Sequence, residues 1–186
     1  MPPKPKFSKE MILKAALKLI EEQGYSSLSV HKIAEEMKCS TQPIYSNFKS
    51  FQKLKEQIAL EIYNDSKDFI EKDYGYSTIC NFAIGYTLTT RNNPSMFRAL
   101  SGTEIKLSEY PEAAANMYLD VWEKMKKEAE IEGVDLDKLS KLFFHVLVYI
   151  QGFSHEIVRG VMDVLSEEEI IVAVRSAVEL LTKILE

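Results

Sequence analysis

The chain is 186 residues long, 46% hydrophobic and 27% charged, which suits a soluble globular protein with a real core, folded as one domain or two small ones. Its longest apolar region, LFFHVLVYIQGF at 142–153, is broken by His145 and Gln151 and falls short of the roughly 20 residues that cross a bilayer, so no membrane span or membrane partner is expected. The net charge of −5 hides a split: residues 1–60 carry ten lysines against six glutamates, while the remaining 126 carry 13 basic and 22 acidic side chains, so a polyanion would be met by the head alone.

Only seven glycines and six prolines occur, so long stretches run without breakers and mostly helix is expected. MPPKPKFSKEM has no apolar run behind its basic residues, which argues against a secretory leader. Cys39 and Cys80 form no metal or redox spacing, which suits a reducing cytoplasm.

Ser8 reads as the N-cap of a first helix, with Met11, Ile12, Ala15, Ala16, Leu19 and Ile20 at helical spacing and Gly24 as its stop. Ser29 caps a second, VHKIAEEM; the turn Lys38-Cys39 leads to Ser40, which caps a third of about two turns. Ser50 caps a long fourth helix over 51–73, Tyr74-Gly75 ends it, and Ser77 starts a fifth that reaches Asn92. After Asn93-Pro94 a short helix covers SMFRALSG to Gly102; Pro111 then opens a longer one that Gly133 closes. Asp135 or Asp137 caps a very long helix, and Ser166, followed by three glutamates suited to a helix N-terminus, starts the last. No segment alternates with period two. The expected fold class is all-α with about nine helices, residues 1–50 forming a helix-turn-helix domain and 51–186 a helical ligand-binding and dimerisation domain.

The third helix carries the clearest functional signal. Ile44 and Phe48, four apart, pin it to the first two helices and leave Thr41, Gln42, Tyr45, Ser46 and Asn47 mostly outside. These side chains hydrogen-bond to base edges and phosphates without excess charge, and Lys49 stands where a phosphate can meet the free amides of the fourth helix. Pro43 falls at the third helical position, whose amide has no intrahelical partner. The alternative reading is a small three-helix core with a polar face.

The run ILKAALKLIEEQGYSSLSVHKIAEEMKCSTQPIYSNFKSFQKL closely resembles the N-terminal domain of the tetracycline-repressor-type (TetR) family of transcriptional regulators. AALKLIEEQGY, the S-V-x-x-I-A block and I-Y-S-N-F-K-S are the most specific parts, and the resemblance covers about the first third of the chain. Cys39 stands where the family often has a small aliphatic residue, and Phe51 where it often has lysine, a lost contact that Lys49 and Lys53 can offset. The resemblance implies a homodimeric regulator, usually a repressor, bound to a double-stranded DNA operator and released by a small-molecule effector. It implies Thr41, Gln42 and Pro43 against bases, and Ser29, Tyr45, Asn47 and Lys49 against phosphates. Lys4 and Lys6 of the N-terminal arm would add minor-groove or backbone contacts.

In the body, Phe82, Tyr86, Met96, Phe97, Met117, Tyr118, Trp122, Phe144 and Tyr149 are the aromatic and soft side chains of a candidate effector pocket, with Cys80, His145 and Gln151 as polar accents. No charged anchor stands out, so an apolar or aromatic effector is expected; the alternative is plain core. The last two helices are apolar on more than one side, with small residues at Gly152, Ser154 and Gly160, which suits an isologous four-helix dimer interface through Gly152, Ile157, Val174, Val178 and Leu181. The alternative buries both helices within one chain. His31, His145 and His155 show no ligand spacing, and neither a phosphate loop nor a G-x-S-x-G is present, so no metal, cofactor or enzymatic activity is expected. A helical adaptor protein is the competing reading, and a small helical enzyme the remote one.

Overall fold

Local capping chemistry sets most helix boundaries. The computed structural model describes residues 7–94, 97–98, 112–162 and 164–185. Helix α1 (Lys9–Gln23) opens at Ser8, whose Oγ accepts the Met11 N–H at 3.3 Å, and closes at Gly24, which takes φ +81. A single 3-10 turn, Tyr25–Ser27, follows. Helix α2 (Val30–Glu36) is capped by Ser29, which accepts the Lys32 N–H at 3.2 Å. Helix α3 (Gln42–Phe48) starts later than expected: Thr41, not Ser40, is its N-cap, so Pro43 takes the second helical position rather than the third. Neither position offers its amide an intrahelical acceptor, so the proline is tolerated either way. Helix α4 (Phe51–Ile70) begins behind Ser50, whose Oγ accepts the Lys53 N–H at 3.1 Å, and ends before the expected Asp73.

Helix α5 (Thr78–Asn92) starts where the sequence places it, but Ser77 makes no side-chain cap. Instead the Glu128 carboxylate, from α6 (Glu112–Glu132), accepts both the N–H and the hydroxyl of Thr78. Gly133, at φ +70, ends α6, and Asp135 caps α7 (Leu136–Val158) by accepting the N–H groups of Asp137 and Lys138. Helix α8 (Glu167–Leu185) opens on a reciprocal pair. The Glu169 carboxylate accepts the Ser166 N–H at 2.7 Å, which with the Ser166 hydroxyl beside it holds the carboxyl pKa below its ordinary value, and Ser166 Oγ accepts the Glu169 N–H. The all-α class stands, with no strand among the described residues. Of the short helix expected at 95–102 only Phe97 and Arg98 are described, both helical; Met96, Pro111, Lys4 and Lys6 lie outside the described residues. No helix among the described residues is long and apolar enough to cross a membrane.

The chain divides into two compact units, residues 1–63 with 95–112, and residues 64–94 with 113–186; α4 contributes to both. In the first, α1 packs on α2 and α3 around Ile12, Ala16, Ile20, Ile33, Ile44, Leu54 and Ile58. In the second, α5 packs along α7 and α8. Its buried hydroxyls are satisfied: Thr90 donates to Ser154 Oγ at 3.2 Å, and Thr87 to the Ala83 carbonyl at 2.8 Å.

Within this second unit α5 meets the last turn of α4 backbone to backbone. A Cβ on Gly85 would lie 2.3 Å from the Phe69 carbonyl oxygen and 2.8 Å from Ile70 Cα, atoms that cannot step aside as a side chain does. Gly85→Ala is therefore expected to destabilise the protein by about 1–3 kcal/mol through overpacking, against the ~1 kcal/mol that alanine ordinarily adds inside a helix; urea unfolding reads the sign.

Candidate nucleic-acid interface

A seven-residue helix has too few internal hydrogen bonds to persist alone, and α3 is held by two side chains. Ile44 is 1% exposed and Phe48 6%, both in the first unit's core. Their spacing turns the rest of the helix outward. Gln42 is exposed and Tyr45 is 49% exposed, while Thr41 and Pro43 are half-buried at the helix start. Among the described residues the Gln42 amide, the Tyr45 hydroxyl and the exposed Lys49 ammonium have no hydrogen-bond partner, so their donors face water. Ser46 is exposed and donates its hydroxyl to the Gln42 carbonyl at 2.9 Å, leaving only its lone pairs for a ligand. Ser29 is half-buried, with its oxygen committed to capping α2.

Asn47 is placed differently from its neighbours. It is half-buried, and its amide donates to the Pro43 carbonyl at 2.8 Å and to the Phe7 carbonyl at 3.4 Å.

The connection from α3 to α4 is strained. Lys49 takes φ +58 and ψ −37, and the Ser50 N–H reaches back to the Phe48 carbonyl at 2.6 Å, a γ-turn with a positive φ at its centre. The turn sets Lys49 beside the first turn of α4, where Ser50 Oγ takes the Lys53 N–H and the amides of Phe51 and Gln52 have no partner among the described residues. Free amides, a helix dipole and a nearby lysine are the chemistry that an anion-binding site uses. Lys55 lies over the rings of Tyr25 and Phe51, which occupies its charge elsewhere.

In the second unit, Phe82, Tyr86, Tyr118 and Gln151 come together. The Phe82 ring is 6.0 Å from Tyr86 and 5.8 Å from Tyr118, and Gln151 donates to the Tyr86 hydroxyl at 2.7 Å. Trp122 is half-buried against Phe143, with ring centroids 5.7 Å apart. A cavity of about 200 Å³ has Ile70, Phe82, Met117 and Val121 as its apolar lining and Asp120 and Lys124 among its charged residues. Cys80 is buried; desolvation and Glu179 push its thiol up to about 11 against the pull of Arg175, so it stays protonated at neutral pH.

Other sequence-derived candidates fall elsewhere. Phe97 is buried and belongs to the first unit. Phe144 is 60% exposed and His145 is exposed, so the outer face of α7 carries them rather than the aromatic cluster. Conversely, Ile157, Val174 and Val178, expected at a dimer surface, are buried inside the chain, while Leu181 is half-buried and Gly152 exposed. Both helices are apolar on two sides, and spacing alone does not say which side faces inward. The apolar side chains that these two helices leave exposed include Phe144, Val148, Val172, Leu180 and Ile184.

The sequence profile described as bacterial regulatory proteins, tetR family, matches residues 12–62. By fold, the chain is similar to a TetR variant from Acinetobacter baumannii AYE solved in complex with minocycline (TM-score 0.62, 16% identity, covering 97% of this chain and 99% of that one). It is similar to a TetR-like transcriptional regulator from Rhodococcus sp. RHA1 (TM-score 0.67, 11% identity, 95% and 96% covered). It also resembles BioQ solved with its natural double-stranded DNA operator (TM-score 0.60, 15% identity, 97% and 98% covered). At these identities the likeness is one of fold. No curated protein matches the sequence.

The strain at Lys49 makes a stability test. Glycine adopts positive φ without the ~1–2 kcal/mol steric penalty of an L side chain, but loses about 0.5–1 kcal/mol more backbone entropy on folding. Lys49→Gly is expected to raise stability by up to about 1 kcal/mol, read as a higher urea midpoint at unchanged slope.

Proposed function

We propose that this chain, whose residues 12–62 match the tetR family of bacterial regulatory proteins, is a transcriptional regulator that works as a homodimeric repressor released from a near-palindromic operator by a small apolar or aromatic effector. The observation that carries the reading is the set of partnerless donors on Gln42, Tyr45 and Lys49 beside the free amides of α4. Gln42, in the first turn of α3, is the residue best suited to bidentate contact with an adenine edge. Lys49 and the Phe51 and Gln52 amides would take one phosphate and fix the register, and the Tyr45 hydroxyl would take another.

Dimerisation would cover apolar surface that one chain leaves in water. Phe144 and Val148 recur at i, i+4 on α7, and Leu180 and Ile184 on α8, all exposed. A second copy presenting the same face would bury them in an isologous four-helix arrangement. That pairing would set the two reading helices about 34–36 Å apart, one helical turn of DNA. An effector would act by preferring a dimer with another separation, since a ligand shifts only an equilibrium whose two states it binds unequally. The aromatic cluster at Phe82 and Tyr86 would receive it; the cavity of about 200 Å³ shares only Phe82 with that cluster and has Glu71, Lys72, Asp73, Asp120 and Lys124 in its lining, so an apolar ligand would have to open the cluster itself.

Selection from a random-sequence DNA pool by the full-length protein should enrich half-sites about 10 base pairs apart, with affinity that falls as salt rises. Lys49→Gly should weaken that binding about tenfold while the fold is kept. No enriched sequence, or binding indifferent to salt, would favour an adaptor role instead.

The interface is tested separately by Phe144→Glu combined with Leu180→Glu. The wild type should sediment as a dimer and the variant as a folded monomer that binds one half-site weakly. A monomeric wild type at operator-binding concentrations contradicts the proposal.

A further inference from the structure

The start of α5 and the second half of α8 enclose another cavity, of about 320 Å³, within the second unit. Tyr76, Ser77 and Cys80 line one side of it, and Arg175, Val178 and Lys183 line the other. It shares no residue with the aromatic cluster of Phe82, Tyr86 and Tyr118.

Arg175 is held in place here without being satisfied. Its guanidinium lies over the Tyr76 ring, 5.6 Å from the centroid, and Nη1 donates to the Tyr76 hydroxyl at 3.3 Å. Those contacts fix the plane of the group and use one corner of it. The other edge, Nε with Nη2, makes no hydrogen bond among the described residues, although Nε is buried. Glu179 Oε1 stands 3.4 Å from Nε, an ion pair whose geometry falls short of a hydrogen bond. Both side chains leave the same helix at i, i+4, a spacing that brings the charges together without aligning the fork. A free carboxylate has no such tether and meets an arginine edge with two parallel bonds. The Glu179 side chain is 59% exposed, so it can turn into water and give up its place.

The remaining lining fits such a ligand. Lys183 is a second cation, with no ion pair among the described residues. Two cations against the one carboxylate of Glu179 leave a single positive charge, which matches a monoanion. Ser77 makes no side-chain cap to α5, so its hydroxyl is free to donate. Burial pushes the Cys80 thiol up to about 11, so Cys80 adds no charge and, with buried Val178, presents an apolar wall.

We propose that this cavity binds a small organic carboxylate, a monoanion with an apolar body of benzoate size. Its carboxylate takes the Nε–Nη2 edge of Arg175 in place of Glu179, and its body lies against Cys80 and Val178. The site is separate from the DNA-reading head and from the aromatic cluster, so its test needs no DNA and stands or falls apart from the regulator reading.

The test is calorimetric titration of the full-length protein with benzoate, with benzamide as its neutral isostere and inorganic phosphate as an anion lacking an apolar body. Benzoate is expected to bind with a Kd below about 1 mM, and the other two at least about tenfold more weakly. Arg175→Lys keeps the charge, loses the fork and should weaken benzoate about tenfold or more. Lys183→Ala should weaken it about two- to fivefold. Glu179→Gln removes the competing carboxylate and should tighten binding about two- to fivefold, a gain that a purely structural role for Arg175 does not produce. Should Arg175→Lys melt early, the variants at Glu179 and Lys183 decide, because both positions are exposed.

No benzoate binding at about 10 mM, binding unchanged by Arg175→Lys, or binding that fails to tighten in Glu179→Gln would overturn the site. Benzamide or phosphate binding as tightly as benzoate would overturn the assignment of the ligand as an organic carboxylate.

Discussion

The proposed DNA-reading surface depends on two side chains seated in the first unit's core. Helix α3 spans Gln42–Phe48, shorter than any helix that persists alone in water, and exists because Ile44 and Phe48 are buried together with α1 and α4 side chains. Burying two such side chains is worth about 3–6 kcal/mol, a large share of what a small domain holds in total. The outward direction of Gln42 and Tyr45 is a consequence of that anchoring. A polar face on an unanchored peptide would have no direction, and so no register against a duplex.

Around that anchor, hydrogen-bonding capacity is sorted by direction. Ser8, Ser29 and Ser50 cap helices, and Asn47 and Ser46 serve nearby carbonyls. Gln42, Tyr45, Lys49 and the first amides of α4 keep theirs for solvent. Donors left in water cost the free protein little, whereas the same donors buried without partners would each cost about 1–3 kcal/mol. Two lysines take positive φ among the described residues, Lys38 in the turn after α2 and Lys49 after α3, and the second coincides with the proposed phosphate corner. A lysine retained where glycine fits better is what a binding role for its charge would require.

The second unit is arranged around backbone proximity. Gly85 lets α5 touch the end of α4 without an intervening side chain, and Tyr74 closes the same end by donating its hydroxyl to the Phe69 carbonyl at 3.2 Å. Phe82 and Tyr86, on either side of Gly85 in the chain, belong to the aromatic cluster. Residues that would sense a ligand and a residue that admits α4 therefore lie within one turn of one helix. Such a close seam transmits a shift of α5 as displacement, because backbone packed on backbone has no side-chain slack to absorb it.

The sequence by itself determined the helix content, most of the boundaries and the direction of α3. Those depend on local chemistry: Ser8, Ser29, Ser50, Asp135 and the Ser166–Glu169 pair act within one turn of their own residues, and the four-residue spacing of Ile44 and Phe48 is a property of any helix. It read the start of α3 one residue early, because Ser40 and Thr41 are both acceptable caps and the choice depends on how the preceding turn closes. Only the tertiary structure decided which apolar face of α7 and α8 is inside, placing Ile157, Val174 and Val178 in the core and Phe144 on the surface. Periodicity reports that a face is apolar, not what covers it. The tertiary structure alone also paired Glu128 with Thr78 and Asn47 with Phe7, since those partners are separated by 50 and 40 residues. A hydrogen bond between distant segments leaves no mark in either one, so Asn47 read from sequence as one more outward donor, and only the folded chain gives it an inward role.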